Sequence, residues 1–370
     1  MIFRYSVLYF LLTCRQEKTA IMEKWKKILI NAESDPVKLA ERFNLSPEPL
    51  KQVNEIFPCR IPETFLKKIH SPGDPLFRQC IPDPEELTCK KELMDDPLGE
   101  IRFKKSEAIV QKYPDRCLFL VSGECAMYCR FCTRKRKFRQ PFIITDKDID
   151  NGIDYIRKHP ELRDVLISGG DPFLLEDDKI GYILQGVRSA SHVKIIRIGT
   201  RTPGVLPERI TPKLVRILKK YHPLYINIHF NHPDELDESV CKSLKRLADA
   251  GIVLGSQTVL LKGVNDSPEI MKQLMWKLLE NRVKPYYIFQ CDMIYGTSHF
   301  RTPLAQGIKI MESLRGWCSG MANPHFVIDL PGGGGKVPIT PDYLLNSKDN
   351  AKIFRNYCGE EYLYTDIQDF

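Results

Sequence analysis

The chain has 370 residues, of which 43% are hydrophobic and 28% charged, and its formal net charge is +8. These values are ordinary for a globular protein and exclude wholesale disorder and collagen-like repeats. The length suits two domains or one α/β barrel, and the mild positive charge is compatible with anionic small ligands or weak attraction to nucleic acid. The 12 cysteines could be disulfides, metal ligands or spare core thiols.

Residues 1–21 contain an apolar run from Tyr5 to Leu12, which is short for a membrane span of about 20 residues. No small-residue cleavage site follows, and Met22 opens MEKWKKIL, a pattern typical of a first helix. We interpret residues 1–21 as a non-native extension. A peripheral segment and an exported or anchored start are the alternatives.

Residues 22–112 are predicted to form a helical, proline-punctuated region. Asp35-Pro36 and Ser46-Pro47 have the pattern of helix starts, because Asp and Ser cap helices and proline suits the first turn.

Farther along the chain, short apolar runs alternate with amphipathic segments. The predicted strands cover residues 117–122, 164–168, 193–198, 224–230, 252–260 and 285–290, with 326–330 as a further candidate. Helical patterns between them include 148–158, 212–220 and 238–250. This alternation predicts a parallel sheet, either doubly wound or a (β/α) barrel. In a barrel, functional residues follow the strands, and the unusual residues of this chain do so.

Three cysteines, Cys125, Cys129 and Cys132, follow the first of these strands with the spacing C-x3-C-x2-C. Three thiolates on a four-iron cluster would leave one iron open to a ligand. The alternatives are a coincidental grouping and a zinc site completed from far away. The other nine cysteines are interpreted as incidental thiols.

Polar and glycine-rich segments follow later strands. Ser168-Gly169-Gly170-Asp171 could bring backbone close to a ligand or form a plain strand-to-helix turn. His229 and His232 could bind a metal, but a hydrogen-bonded structural role is favoured.

Four glycines precede Lys336 in the sequence DLPGGGGKVP. A phosphate-binding P-loop needs G-x4-G-K-[ST], and both Leu330 and Val337 break that pattern. We interpret the segment as a loop that brings one lysine amine to a flat ligand, since lysine is the standard anchor for pyridoxal phosphate. A flexible loop ending in a solvated lysine is the alternative.

The cysteine triplet resembles that of the radical S-adenosylmethionine enzymes. Together with the glycine-rich lysine it resembles the lysine 2,3-aminomutase family, from about residue 74 to residue 356. The resemblance implies a partial (β/α)6-type barrel preceded by a helical region, a [4Fe-4S] cluster on the three cysteines, S-adenosylmethionine, and pyridoxal 5′-phosphate.

The same resemblance assigns residue roles. Lys336 would carry pyridoxal phosphate beside Tyr113 and Arg116. Ser168, Gly169, Gly170, Asp171 and Gln257 would contact S-adenosylmethionine. Asp292 and Asp329 would bind the distal ammonium of lysine. An amino-acid substrate also needs a cation for its carboxylate, and Arg134, two residues past the cysteines, is well placed to bind it. The alternative is a plain basic surface formed by Arg130, Arg134, Lys135, Arg136, Lys137 and Arg139.

Two departures from the family pattern stand out. Phe131 lies where these enzymes often carry histidine. Ser267 lies where some members place a zinc-binding cysteine, and the tail lacks their cysteine cluster. We therefore expect no structural zinc.

The resemblance implies a cytoplasmic isomerase that makes β-lysine from L-lysine, for elongation factor P modification, catabolism or an osmolyte. A flavodoxin- or ferredoxin-type electron donor and homo-oligomers are expected partners, with no nucleic acid or membrane. The expected divisions are 1–21, 22–112, 113–336 (barrel and lysine loop) and 337–370. The alternatives are a glutamate-type 2,3-aminomutase, a pseudoenzyme, and an RNA-binding or RNA-modifying protein suggested by the basic stretch 134–139.

Overall fold

A computed structural model describes residues 22–88, 91–139, 142–348 and 350–367. The extension predicted for residues 1–21 lies outside these ranges. No helix within them is long and apolar enough to cross a membrane.

Short helices form the amino-terminal region. They are α1 (Lys24–Ile30), α2 (Pro36–Phe43), α3 (Pro47–Ile56), α4 (Glu63–Leu66) and α5 (Pro75–Cys80), followed by a 3-10 turn at Pro84–Leu87. The helix starts predicted at Pro36 and Pro47 are confirmed, and the Asp35 side chain accepts the Val37 N–H at 2.8 Å. Trp25 and Phe65 share a buried cluster with Met127 of the cysteine segment. The helical region therefore packs against that segment.

A nine-stranded sheet forms the centre of the chain, with its strands in sequence order. They are β1 (Ile109–Tyr113), β2 (Arg116–Ser122), β3 (Asp164–Gly169), β4 (Ile195–Thr200), β5 (Leu224–His229), β6 (Val253–Leu260), β7 (Val283–Gln290), β8 (His325–Leu330) and β9 (Gly335–Pro338). Strands β2 to β8 are parallel, whereas β1 and β9 are antiparallel to their neighbours. All seven predicted strand segments occur, which confirms the α/β barrel-type fold.

Helices connect the strands and cover one face of the sheet. They are α6 (Arg136–Arg139), α7 (Asp146–Lys158), α8 (Asp177–Arg188), α9 (Thr202–Val205), α10 (Pro212–Leu218), α11 (Glu238–Asp249), α12 (Pro268–Glu280) and α13 (Leu304–Leu314). Alternate strand residues such as Ile196 and Ile198 belong to the same buried core as helix residues such as Ile153 and Leu184. The residues between them, such as Arg197 and Gly199, point to the other face, the inside of the barrel.

Strands β10 (Leu344–Lys348), β11 (Ala351–Arg355) and β12 (Glu361–Thr365) form a separate antiparallel sheet near the carboxyl terminus. Every residue of β10 and β12 is exposed. The sequence did not predict this sheet, nor strands β1 and β9. The expected division points at 112/113 and 336/337 fall within β1 and β9.

Candidate active site

The three predicted cluster cysteines lie in the segment directly after β2. Arg201 Nη1 donates to Cys129 Sγ at 2.8 Å, and the backbone N–H of Arg134 donates to Cys132 Sγ at 3.4 Å. Donors aimed at sulfur are the usual surroundings of iron–sulfur ligands. The thiols therefore have the chemistry and contacts that a thiolate-ligated cluster requires.

The three cysteines also influence one another electrostatically. Burial raises the pKa of the Cys125 thiol well above its ordinary value, and the charges of Cys132, Asp171 and Cys129 add to the effect. No group of three or more His, Cys, Asp or Glu side chains in the described parts of the chain converges on a single metal ion.

Two cations of the cysteine segment are fully buried. Arg130 Nη2 and Lys135 Nζ each lie 2.6 Å from Glu86 Oε2, and all three side chains have no exposed surface. Arg130 also donates to the carbonyls of Phe57 and Pro58 at 2.9 and 3.1 Å. The alternative that the basic residues around the cysteines form only a surface is therefore wrong for Arg130 and Lys135. They fasten the cysteine segment to the helical region.

Glycine lets the segment after β3 approach the cysteine segment. A Cβ at Gly169, whose φ is +133°, would lie 2.2 Å from the Ser122 carbonyl oxygen, and one at Gly170 would lie 2.1 Å from that of Glu124. The Asp171 N–H donates to the same Glu124 oxygen at 2.6 Å. The close backbone contact observed here is thus with the protein's own chain, and contact of Ser168 to Asp171 with S-adenosylmethionine stays a prediction.

Asp171 anchors the segment after β4. Its carboxylate accepts hydrogen bonds from the Thr200 hydroxyl, at 2.7 Å, and from the backbone N–H groups of Arg201 and Thr202, at 2.8 and 3.0 Å. Arg201 then reaches back to Cys129. Arg201 directly follows β4, and sequence reasoning assigned it no role.

Phe131, which stands where the resembling family often carries histidine, packs against an aromatic ring and a guanidinium. The Phe131 ring stacks on His229 with centroids 5.2 Å apart, and Arg201 lies 5.1 Å from the Phe131 centroid. Burial, followed by the charge of Arg201, lowers the pKa of His229 to about 3, so this ring is neutral. Gln257 pairs with His229 across β5 and β6. The favoured structural role of His229 agrees with these contacts.

Arg134 is held by a carboxylate that the sequence did not reveal. Its Nε and Nη2 lie 2.7 and 2.6 Å from Glu100 Oε1, and its Nη1 donates to the Gly169 carbonyl at 3.0 Å. Burial opposes ionisation of Glu100, but the charge and hydrogen bonds of Arg134, together with the charges of Lys137 and Arg136, outweigh it and lower the pKa of Glu100 to about 2. Glu100 takes the Nε–Nη2 edge and the Gly169 carbonyl takes one hydrogen of Nη1, so one hydrogen of Nη1 and one of Nη2 remain to donate to a second anion.

The glycine loop places Lys336 beside Tyr113 of β1. Gly332, Gly333 and Gly335 all have positive φ, between +68° and +96°. The Lys336 N–H donates to the Tyr113 hydroxyl at 3.1 Å, and the Arg116 guanidinium lies 3.8 Å from the Tyr113 ring centroid. The structure therefore groups the three residues predicted to hold pyridoxal phosphate.

Two aspartates meet near the Lys336 amine. Lys336 Nζ lies 3.1 Å from Asp329 Oδ2 and 5.4 Å from the Phe289 ring centroid. Burial, followed by the charge of Asp329, raises the pKa of Asp292 to about 7, against the opposing charges of Lys336 and Lys112. The predicted ammonium-binding pair is thus close enough to interact electrostatically.

Comparisons with known proteins agree with this arrangement. Residues 119–274 match the family model of the Radical SAM superfamily, and residues 311–370 match the model described as Lysine-2,3-aminomutase. L-lysine 2,3-aminomutase of Clostridium subterminale is 49% identical over 291 residues, 78% of this chain and 70% of that protein. The Methanococcus maripaludis enzyme of the same name is 45% identical over 325 residues, 87% of this chain and 75% of that protein.

Glutamate 2,3-aminomutase of Clostridioides difficile is also similar, at 42% identity over 316 residues, 85% of this chain and 75% of that protein. The relatives and the family models together cover the barrel, the cysteine segment and the carboxyl-terminal segment. The chain is an isomerase that belongs to the lysine 2,3-aminomutase family of radical S-adenosylmethionine enzymes, a family that uses a four-iron cluster and S-adenosylmethionine.

Proposed function

We propose that this chain converts L-lysine into β-lysine by moving an amino group between adjacent carbons. The observation that carries the proposal is the Asp329 carboxylate 3.1 Å from the Lys336 ammonium, with Asp292 near enough to interact electrostatically with both. A free lysine side chain ends in the same group. Once the Lys336 amine is engaged by a cofactor, the two carboxylates are available to a substrate ammonium.

The same pair disfavours glutamate as substrate. A second substrate carboxylate would lie beside two anions, and like charges in a partly buried site repel strongly. The charge of Asp292 and Asp329 is therefore the feature that favours lysine over glutamate as the substrate of this chain.

The cofactors would be held by three groups of residues. Cys125, Cys129 and Cys132 would ligate the cluster, Ser168 to Asp171 and Gln257 would contact S-adenosylmethionine, and Lys336 would anchor pyridoxal phosphate beside Tyr113 and Arg116. When bound, these groups supply radical chemistry at a substrate carbon and a conjugated carrier for the migrating nitrogen.

The protein's own contribution is positioning and exclusion of water. The free edge of Arg134 would bind the substrate carboxylate bidentately, while Asp292 and Asp329 would fix the far end. A substrate held at both ends presents its α and β carbons at a fixed position.

Action in the cytoplasm, a flavodoxin- or ferredoxin-type electron donor and a homo-oligomeric state are further parts of this proposal.

Product analysis tests the proposal. Protein reconstituted anaerobically with iron, sulfide and pyridoxal phosphate is incubated with dithionite, S-adenosylmethionine and either lysine or glutamate. We expect β-lysine from lysine and no β-glutamate. Lys336→Ala should abolish turnover and the pyridoxal absorbance band while leaving the cluster band, and Cys129→Ala should abolish the cluster band. Preferential conversion of glutamate, or a cluster spectrum unchanged in Cys129→Ala, would overturn the proposal.

A further inference from the structure

Arg201 connects a buried charge network to a cluster cysteine. Its Nη2 donates to Gln79 Oε1 at 2.5 Å and to Glu235 Oε2 at 3.2 Å, while its Nη1 is directed to Cys129 Sγ at 2.8 Å. Arg201 is 8% exposed and Glu235 is fully buried. The guanidinium therefore lies in a site with little water to screen it.

This guanidinium is held rigidly. Asp171 fixes its backbone N–H, and the rings of Phe65 and Phe131 lie 5.8 and 5.1 Å from its central carbon. Glu235 is itself fixed by the backbone N–H groups of Asn231 and His232, at 2.8 and 3.0 Å. A merely structural ion pair would be complete with Glu235 and Gln79, and the contact with sulfur goes beyond it.

We propose that Arg201 raises the reduction potential of the cluster bound at Cys129, and that Glu235 moderates this effect. The inference rests on the proposed ligation of the cluster by the three cysteines. One-electron reduction adds a negative charge to the cluster and its thiolates. An N–H donor and a positive charge beside one sulfur stabilise the reduced form more than the oxidised form. The Glu235 carboxylate offsets part of the positive charge, so it acts in the opposite direction.

This arrangement predicts opposite shifts from two neighbouring substitutions. Arg201→Gln removes the charge and should move the midpoint potential of the cluster to more negative values. Glu235→Gln removes the counter-charge and should move it to more positive values. Arg201→Lys keeps the charge without the Nη1 contact and should lie between the wild type and Arg201→Gln. General damage to the site would not shift the potential in two directions.

The measurement is a dithionite titration of the reconstituted protein without substrate, followed by the electron paramagnetic resonance signal of the reduced cluster. Arg209→Gln is the matched control, because Arg209 forms an equally buried pair with Asp177 at 2.8 Å. The midpoint potential of the cluster in this variant should equal that of the wild type. Potentials unchanged in both Arg201→Gln and Glu235→Gln, or shifted in the same direction, would overturn the inference.

A second measurement detects the contact between Arg201 and the cluster directly in the wild type. Wild-type protein is produced in cells supplied with arginine that carries ¹⁵N at both Nη atoms. Pulsed electron paramagnetic resonance should then show a ¹⁵N nucleus coupled to the reduced cluster. This coupling should be absent in Arg201→Lys. Its absence in the wild type would overturn the inference alone, because the cluster signal and the aminomutase activity would remain. A wild type that assembles no cluster would overturn both the inference and the proposed function.

Discussion

Arg130 Nη2 lies 2.6 Å from Glu86 Oε2 with neither side chain exposed, which joins the cysteine segment to the 3-10 turn Pro84–Leu87. Burial alone would raise the pKa of Glu86, but Arg130 and Lys135 lower it below its ordinary value. Glu86 is therefore ionised between two buried cations.

Glu86→Gln should be strongly destabilising, because it leaves Arg130 and Lys135 buried without their counter-charge. We expect a loss of roughly 3–5 kcal/mol in the free energy of unfolding, measured by urea denaturation. Glu124→Gln is the control, since Glu124 pairs with Arg60 at 3.1 Å but is 54% exposed, and a pair of this kind contributes about 0–1 kcal/mol. Equal losses in the two variants would contradict the prediction.

Local patterns account for what the sequence predicted. The seven parallel strands have runs of apolar residues that end at turns, so each could be recognised within its own segment. The cysteine spacing and the glycines before Lys336 are likewise contained in about ten residues each. Strands β10 and β12 have no buried face, so they lack the alternation that identifies a strand.

Contacts between distant parts of the chain account for what it missed. Arg130 and Glu86 are 44 positions apart, and Arg134 and Glu100 are 34 apart. Arg201 and Cys129 are 72 apart. Each pair forms only when the helical region and the ends of successive strands pack against one another. No local sequence pattern indicates such a contact. The basic residues between Arg130 and Arg139 therefore looked like a surface, although Arg130 and Lys135 are fully buried.

Gly170 should tolerate no side chain. A Cβ there would lie 2.1 Å from the Glu124 carbonyl oxygen, so Gly170→Ala must displace the cysteine segment. We expect a destabilisation of about 1–3 kcal/mol and a lower iron content per chain after reconstitution. Gly181→Ala is the opposite case. Gly181 lies within α8 and a Cβ there would meet only Ile217, at 3.5 Å, so this substitution should stabilise by roughly 0.5–1 kcal/mol. Unchanged iron content in Gly170→Ala would contradict the prediction.

Asp292 should make the substrate-free protein less stable as the pH rises. Its pKa is about 7 in the folded chain and about 3.9 when unfolded, so the folded state retains a proton that the unfolded state loses. The contribution of protonated Asp292 to the free energy of unfolding is fully present below about pH 4. It is lost as the pH rises through about 7. Relative to Asp292→Asn, the urea midpoint of the wild type should therefore fall between pH 5 and about 7 and then level off.

Asp154→Asn provides the reference for that experiment, because Asp154 is an exposed partner of Arg157. Its midpoint should follow the wild type at every pH. Lysine added above pH 7 should restore stability to the wild type more than to Asp292→Asn. A wild type that follows Asp292→Asn across the range would show that folding does not raise the pKa of Asp292.

Glu100 should position Arg134 for the substrate carboxylate. The carboxylate of Glu100 holds the Nε–Nη2 edge of Arg134 at 2.7 and 2.6 Å, and it also binds Arg136 Nη2 at 2.8 Å. Glu100→Gln keeps an acceptor but loses the charge, so the guanidinium is oriented less firmly. Charge-assisted hydrogen bonds contribute about 1.5–3 kcal/mol.

The KM for lysine in Glu100→Gln should therefore rise by about tenfold or more, with kcat affected less. Inhibition by 1,5-diaminopentane, which has both amines but no carboxylate, should be unchanged. Asp95→Asn is the control, because Asp95 pairs with Arg139 and is 60% exposed, and its KM should match the wild type. If Glu100→Gln weakened lysine and diaminopentane equally, Glu100 would act on the whole pocket and not through the edge of Arg134 that faces the substrate carboxylate.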